Sequence, residues 1–211
     1  MFENIIKNVH NRHPLIHCIT NYVSINDCAN IVLACGGAPI MAEDINEVSQ
    51  ITSICQGLDI NIGMLNDNKL SSMLKAGATA NELGIPVILD PVGAGSSDYR
   101  IKAVQNLMSN VQFGVIRGNV SEIKAIAEKQ GIHNIAAGVY ETMQKNKSAM
   151  GVEAGIADKI TDDNIKEMAD FINKLSQKTG AVIAVTGGID MVADENRVYA
   201  IRNGHKMMSL V

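Results

Sequence analysis

The chain has no tryptophan, and only three phenylalanines and four tyrosines in 211 residues. Recognition by stacking on aromatic side chains is therefore not expected. There is no excess of positive charge either. The formal net charge is -4, which leaves nothing to neutralise a run of phosphates, so a nucleic-acid partner is not expected. No apolar run reaches the length of a membrane span. The start, Met1-Phe2-Glu3-Asn4, lacks the basic segment and apolar block of a secretory leader. The four cysteines, Cys18, Cys28, Cys35 and Cys55, form no C-x-x-C pair and have no histidine at zinc-finger spacing. They read as small buried hydrophobes, and a reducing cytoplasm is the expected setting.

What is present fits a soluble globular α/β protein. Apolar residues make up 46% and charged residues 19%, which places the chain among ordinary globular sequences. A length of 211 residues suits one domain with a large core. Apolar positions in residues 1–12 fit a helix face ended by Pro14. Strands are expected over Leu15–Thr20, Ala38–Met41, Leu58–Ile62, Val87–Asp90, Gly114–Ile116 and Ala181–Thr186. Helices are expected over Ser24–Cys35, from a capping box at Asp44–Glu47 to about Cys55, and over Asn66–Leu83, Asp98–Ser109, Asn119–Lys129 and Asp162–Thr179. Residues 131–161 read as a loop with short helical pieces. Met191–Ala193 and Arg197–Ile201 read as a paired hairpin. Repeated strand-helix units imply a mostly parallel sheet covered on both faces, with right-handed crossovers.

Two segments carry most of the chemistry. Leu89-Asp90-Pro91-Val92-Gly93-Ala94-Gly95 leaves a buried strand through a glycine-rich turn. Ile116-Arg117-Gly118-Asn119-Val120-Ser121-Glu122 leaves another and opens a helix. In open α/β sheets the carboxyl ends of strands are where ligands bind. Asp90 suits Mg²⁺, which takes one or two carboxylates plus phosphate oxygens; it also suits a turn before Pro91. Arg117 can make paired hydrogen bonds to phosphate, or a surface ion pair. Asn119 and Glu122 stand at capping-box spacing, and the same helix N-terminus favours an anion. Thr186-Gly187-Gly188 can line a nucleotide pocket or simply turn the chain. Asn21, past the first strand, can hydrogen-bond a small heterocycle, and the Met41 thioether can adapt to a ring. His17, inside an apolar strand, reads as a satisfied core residue.

In order, HCITN (17–21), GGAPIM (36–41), NIG (61–63), ILDPVGAG (88–95), YR (99–100), IRGNVSEI (116–123), VTG (185–187) with Asp190, and NGHK (203–206) resemble the hydroxyethylthiazole kinase family of the ribokinase-like superfamily. The resemblance implies a three-layer αβα ribokinase-like fold with a mostly parallel central sheet and helices on both faces. It implies ATP-dependent phosphorylation of the hydroxyl of 4-methyl-5-(2-hydroxyethyl)thiazole in thiamine salvage, with Mg²⁺ and a homotrimer. By motif, Met41 and Asn21 serve the thiazole, Arg117, Thr186 and Asn119 the ATP, and Asp90 and Glu122 the metal and phosphate region. Two departures accompany it. Gly188 stands where many relatives have an acidic residue. The family's T-G-x-G-C turn, whose Cys is catalytic, has no counterpart up to Val211, so no residue is assigned as catalytic, and the single domain 1–211 is expected to be incomplete and poorly active. Val182, Ile183, Val185, Met207 and Leu210 are then expected to lie exposed on one face. The alternatives are a non-catalytic thiazole or nucleotide binder, or another ribokinase-like vitamin-precursor kinase such as a pyridoxal or hydroxymethylpyrimidine kinase.

Overall fold

The computed structural model describes residues 2–132 and 159–204. Most of the stretch expected as a loop, and the segment holding Met207 and Leu210, lie outside the described residues. Two compact units are formed, Met1–Asp90 with Asn106–Phe113, and Pro91–Gln105 with Gly114–Val211.

In the first unit, α1 (Phe2–Arg12), β1 (Leu15–Ile19), α2 (Ile25–Ala34), β2 (Ala38–Ile40), α3 (Val48–Ser53), β3 (Gly57–Asn61), α4 (Asp67–Glu82) and β4 (Val87–Asp90) alternate along the chain. The strands lie in the order β2-β1-β3-β4 and every pair is parallel. β3 is buried at four of its five positions, as a central parallel strand must be. All four strands therefore end at one edge. Helix α4 opens on a side-chain cap: the Asn66 side chain accepts the Lys69 N–H at 2.9 Å.

The expected capping box at Asp44–Glu47 does not form. Asp44 instead accepts from the Asn46 N–H at 2.8 Å, closing an Asx turn, and α3 begins only at Val48, with Glu47 as N-cap and no side-chain bond there. An aspartate that can turn onto its own backbone two residues on has a local alternative to the box.

His17 is a core residue, 0% exposed. Its Nε2 lies 2.7 Å from the Ala42 carbonyl and its Nδ1 2.9 Å from the Thr52 hydroxyl. A carbonyl only accepts, so Nε2 carries the proton and Nδ1 accepts from Thr52. The ring thus ties β1 to α3 and to the turn after β2. Burial pushes its pKa below 6.5, against the opposing pulls of the Ala42 carbonyl and Glu47. The unfolded chain therefore binds the proton more readily, and stability declines as pH falls through about 6.5. Thermal melts at pH 7 and pH 5 should show a larger loss for the natural protein than for His17→Gln; equal losses would contradict a neutral buried ring.

In the second unit, β5 (Val115–Asn119), α6 (Val120–Lys129), α7 (Ile165–Thr179), β6 (Val182–Thr186), β7 (Asp190–Ala193) and β8 (Val198–Ile201) lie downstream of α5 (Asp98–Asn110), which contributes its last residues to the first unit. β5 and β6 are parallel; β6-β7 and β7-β8 are antiparallel, so the expected hairpin is present. β5 runs three residues past its expected end, so Arg117 stands inside the strand rather than beyond it. The register Arg117↔Ala184 and Asn119↔Thr186 explains this: ladder hydrogen bonds to β6 hold polar residues that periodicity alone would release.

The expected exposure of Ile183 and Val185 is not found. They are 0% and 1% exposed, because side chains alternate along β6 and this pair faces the buried side. Helix α7, with Met168, Phe171, Ile172 and Leu175 buried, packs against β6 and β7. Val182, on the other face, is half-buried. Cys18 and Cys55 are buried as expected, Cys28 is half-buried, and Cys35 is exposed just past α2, contrary to the reading of all four as buried. Burial pushes the Cys18 thiol up to about 12, so it remains protonated and inert. Among the described residues no helix is long and apolar enough to cross a membrane.

Candidate functional site

At the strand-end edge of the first unit, three of the polar side chains form a chain across adjacent strands. Asn21 Nδ2 donates to Asn61 Oδ1 at 3.1 Å, and Asn61 Nδ2 donates to Asp90 Oδ2 at 3.0 Å. The register Asn61↔Asp90 between β3 and β4 sets the second contact. Asn21 Oδ1 is occupied by the Ser24 N–H and hydroxyl, both at 3.1 Å, so what the Asn21 side chain can still offer a ligand is an N–H. Gly63 closes over this group, its N–H donating to Asn61 Oδ1 at 2.8 Å. A Cβ at Gly63 would stand 2.9 Å from Asn61 Oδ1 and 3.0 Å from Asn21 Nδ2, so a side chain there would break the pair. Met41 follows β2 directly, half-buried, beside the Ala42 carbonyl that His17 anchors.

The second unit holds the other expected residues. The Asn119 side chain accepts the Glu122 N–H at 2.9 Å and Glu122 Oε2 accepts the Asn119 N–H at 2.8 Å, completing the capping box. Glu122 Oε1 accepts the Gly93 N–H at 2.9 Å. One carboxylate thus joins the α6 N-terminus to the Asp-Pro-Val-Gly-Ala-Gly turn. Gly93 has φ +66, a left-handed conformation that other residues seldom adopt. Arg100 Nη1 donates to the Val92 carbonyl at 2.7 Å and braces the same turn. Arg117, exposed, shares one face of the sheet with Asn119 and, across the register, with Ala184 and Thr186. The Thr186 hydroxyl donates to the Gly118 carbonyl at 3.4 Å. Asp190 Oδ1 accepts the Gly187 N–H at 2.9 Å and shapes the turn after β6.

Asp90 and Glu122 each carry oxygen donors of the kind magnesium takes. Among the described residues no three His, Cys, Asp or Glu side chains gather as a dedicated metal cage. Mg²⁺ does not need one, since it usually keeps waters and phosphate oxygens beside one or two carboxylates. Asp90 offers hard oxygen at a strand end. Each Glu122 oxygen already accepts a backbone N–H but retains a second lone pair.

Sequence reading did not see that Asn61 bridges Asn21 to Asp90, although it lies in the NIG segment. It also missed Lys69, which reads as a solvated lysine in a first helical turn.

The hydroxyethylthiazole kinase family model matches residues 6–211. The chain belongs to the hydroxyethylthiazole kinase family. It is 51% identical to the hydroxyethylthiazole kinase of Clostridium acetobutylicum over 211 residues, covering 100% of this chain and 71% of that one. It is 44% identical to that of Desulfovibrio desulfuricans over 211 residues, covering 68% of it. The solved hydroxyethylthiazole kinase of Pyrococcus horikoshii superimposes with a TM-score of 0.80 at 31% identity, over 98% of this chain and 68% of that one. An adenosine kinase of Anopheles gambiae, at 9% identity and TM-score 0.52, shares the fold alone. The fold class is the mostly parallel α/β one of the ribokinase-like kinases, as the motifs implied.

Proposed function

We propose that the protein phosphorylates the hydroxyl of 4-methyl-5-(2-hydroxyethyl)thiazole with ATP and Mg²⁺, in thiamine salvage. Family membership over residues 6–211 carries this reading. In this reading the first unit's edge takes the thiazole: Met41 against the ring, and Asn21 with its remaining N–H near it. The second unit's edge takes ATP: Arg117 on phosphate through its forked guanidinium, Asn119 presenting the α6 N-terminus to anionic oxygens, and Thr186 beside the nucleotide. Asp90, at the first unit's edge, and Glu122, in the second unit, are each assigned to metal or phosphate, and a bound Mg²⁺ would supply charge neutralisation for phosphoryl transfer. Asn61 orients both Asn21 and Asp90. Phosphoryl transfer draws its rate from positioning and charge stabilisation, and braced turns of this kind supply the first. Use of ATP agrees with a cytoplasmic site of action. The homotrimer that the family resemblance implies requires a covered surface, and the exposed Ile5 and Ile6 of α1 and Ile31 and Leu33 of α2, with no residue of α2 buried, offer an apolar one.

The test is a product assay on the full product of the gene, with thiazole alcohol and MgATP, followed by mass spectrometry. The phosphorylated alcohol and an equal amount of ADP are expected. Turnover of pyridoxal or hydroxymethylpyrimidine in its place would overturn the reading. Arg117→Ala is expected to weaken MgATP binding by about tenfold or more, with Arg117→Lys restoring only part, because Lys keeps the charge but loses the fork. Titration calorimetry decides: full rescue by Lys would mean a point charge suffices, and no loss in either variant would mean that Arg117 does not hold the nucleotide.

A further inference from the structure

Lys69 sits in the first turn of α4 with its side chain only 3% exposed. Helix energetics do not explain a lysine there, since a cation is disfavoured at the positive end of the helix dipole. Burial of an ammonium is costly unless it is paired and hydrogen-bonded. Its partners supply the explanation. Nζ donates to the Thr20 carbonyl, pairs with Glu43 Oε2 at 2.8 Å, and lies 4.5 Å over the Tyr22 ring. The Tyr22 hydroxyl donates to the other Glu43 oxygen. Burial alone would push the Glu43 carboxyl up, yet the Lys69 ammonium and Tyr22 hydroxyl hold it below the ordinary range.

These partners belong to two different segments, the turns after β1 and β2. Thr20 and Tyr22 flank Asn21 in the turn after β1. Glu43 lies two residues past Met41 in the turn after β2. One buried charge therefore fastens both turns that the proposed function assigns to the thiazole. The partner set uses both of the lysine's capacities, a point charge for Glu43 and several donors for the Thr20 carbonyl. We propose that Lys69 is a positioning residue for thiazole recognition, acting through Thr20 and Glu43 without touching the substrate. The inference rests on the thiazole reading of this edge.

The test uses calorimetry and amide hydrogen exchange on the natural protein and on Lys69→Met. Thiazole alcohol affinity is expected to fall by about tenfold or more, as displaced binding groups cost, while MgATP affinity stays within about twofold. Exchange should rise over residues 20–24 and 41–47 and remain unchanged over 115–129. Lys69→Arg, which keeps the charge, should restore part of the thiazole affinity. Should Lys69→Met fail to fold, Glu43→Gln removes the ion pair alone, and a smaller thiazole-specific loss is expected. Unchanged thiazole affinity in a folded variant overturns the inference. So does a matched fall in both affinities with exchange rising throughout, which marks a structural lysine only. Failure of the natural protein to bind thiazole alcohol at all would overturn the thiazole reading itself, and is separate from either result.

Discussion

Glu122→Ala is expected to destabilise the protein by about 2–4 kcal/mol and to weaken MgATP binding by about tenfold or more. Glu122 is 7% exposed, and its two oxygens accept from Gly93 and from Asn119. Removing the carboxylate strands two backbone N–H groups where water has little access, and an unsatisfied donor costs about 1–3 kcal/mol. It also opens the capping box, which is worth about 1 kcal/mol. The binding loss follows from the same contacts, since the Gly93 turn and the α6 N-terminus lose the group that joins them. Glu122→Gln keeps one acceptor and points an NH₂ at the other donor, so about half the loss is expected. Denaturant midpoints measure the first effect and calorimetry the second. A loss below about 0.5 kcal/mol would mean that the tether contributes little.

Met41→Asp should reduce thiazole alcohol affinity by about a hundredfold or more and leave MgATP affinity largely intact. A carboxylate set against a heteroaromatic ring in a half-buried position has no cation to pair with in the proposed pose, and its desolvation opposes binding. Met41→Leu conserves volume and should stay within about threefold. The position is well held for such a role, because the next residue, Ala42, is buried and its carbonyl is fixed by His17. Separate titrations with each ligand check this. If both affinities fall together, Met41 is a core residue and not a pocket residue.

Much of this was legible in local pattern. The Asn119–Glu122 spacing announced the capping box that forms. Gly93 in its turn, and the hairpin after Gly187-Gly188, followed from residue type and periodicity. The contacts that build the sites were not legible, for a common reason. Asn21 meets Asn61 forty residues away, and Asn61 meets Asp90 twenty-nine away. Those meetings depend on the register of parallel strands, which no local spacing encodes. Glu122 was readable as a cap, but its second task at Gly93 depends on where the two turns fall within the second unit. Lys69 was hidden by its surroundings in the sequence, Asp67-Asn68-Lys69, which look like a solvated helix start. The extra length of β5 was hidden because Arg117-Gly118-Asn119 is polar, and its pairing with β6 is not encoded in local pattern. The misread start of α3 shows the converse: Asp44 satisfied a local turn before it could serve a helix.

The central claim is that thiazole alcohol is held by the first unit's strand ends and the nucleotide of MgATP by the second's. Backbone amide NMR of the labelled protein, titrated with each ligand alone, tests it most directly. The account predicts that thiazole alcohol shifts the amides of Asn21, Met41, Asn61 and Gly63, and that MgATP shifts those of Gly93, Arg117, Asn119 and Thr186. Shifts from thiazole alcohol confined to the second set, or none at Asn21, Met41 and Asn61 at saturating ligand, would contradict it.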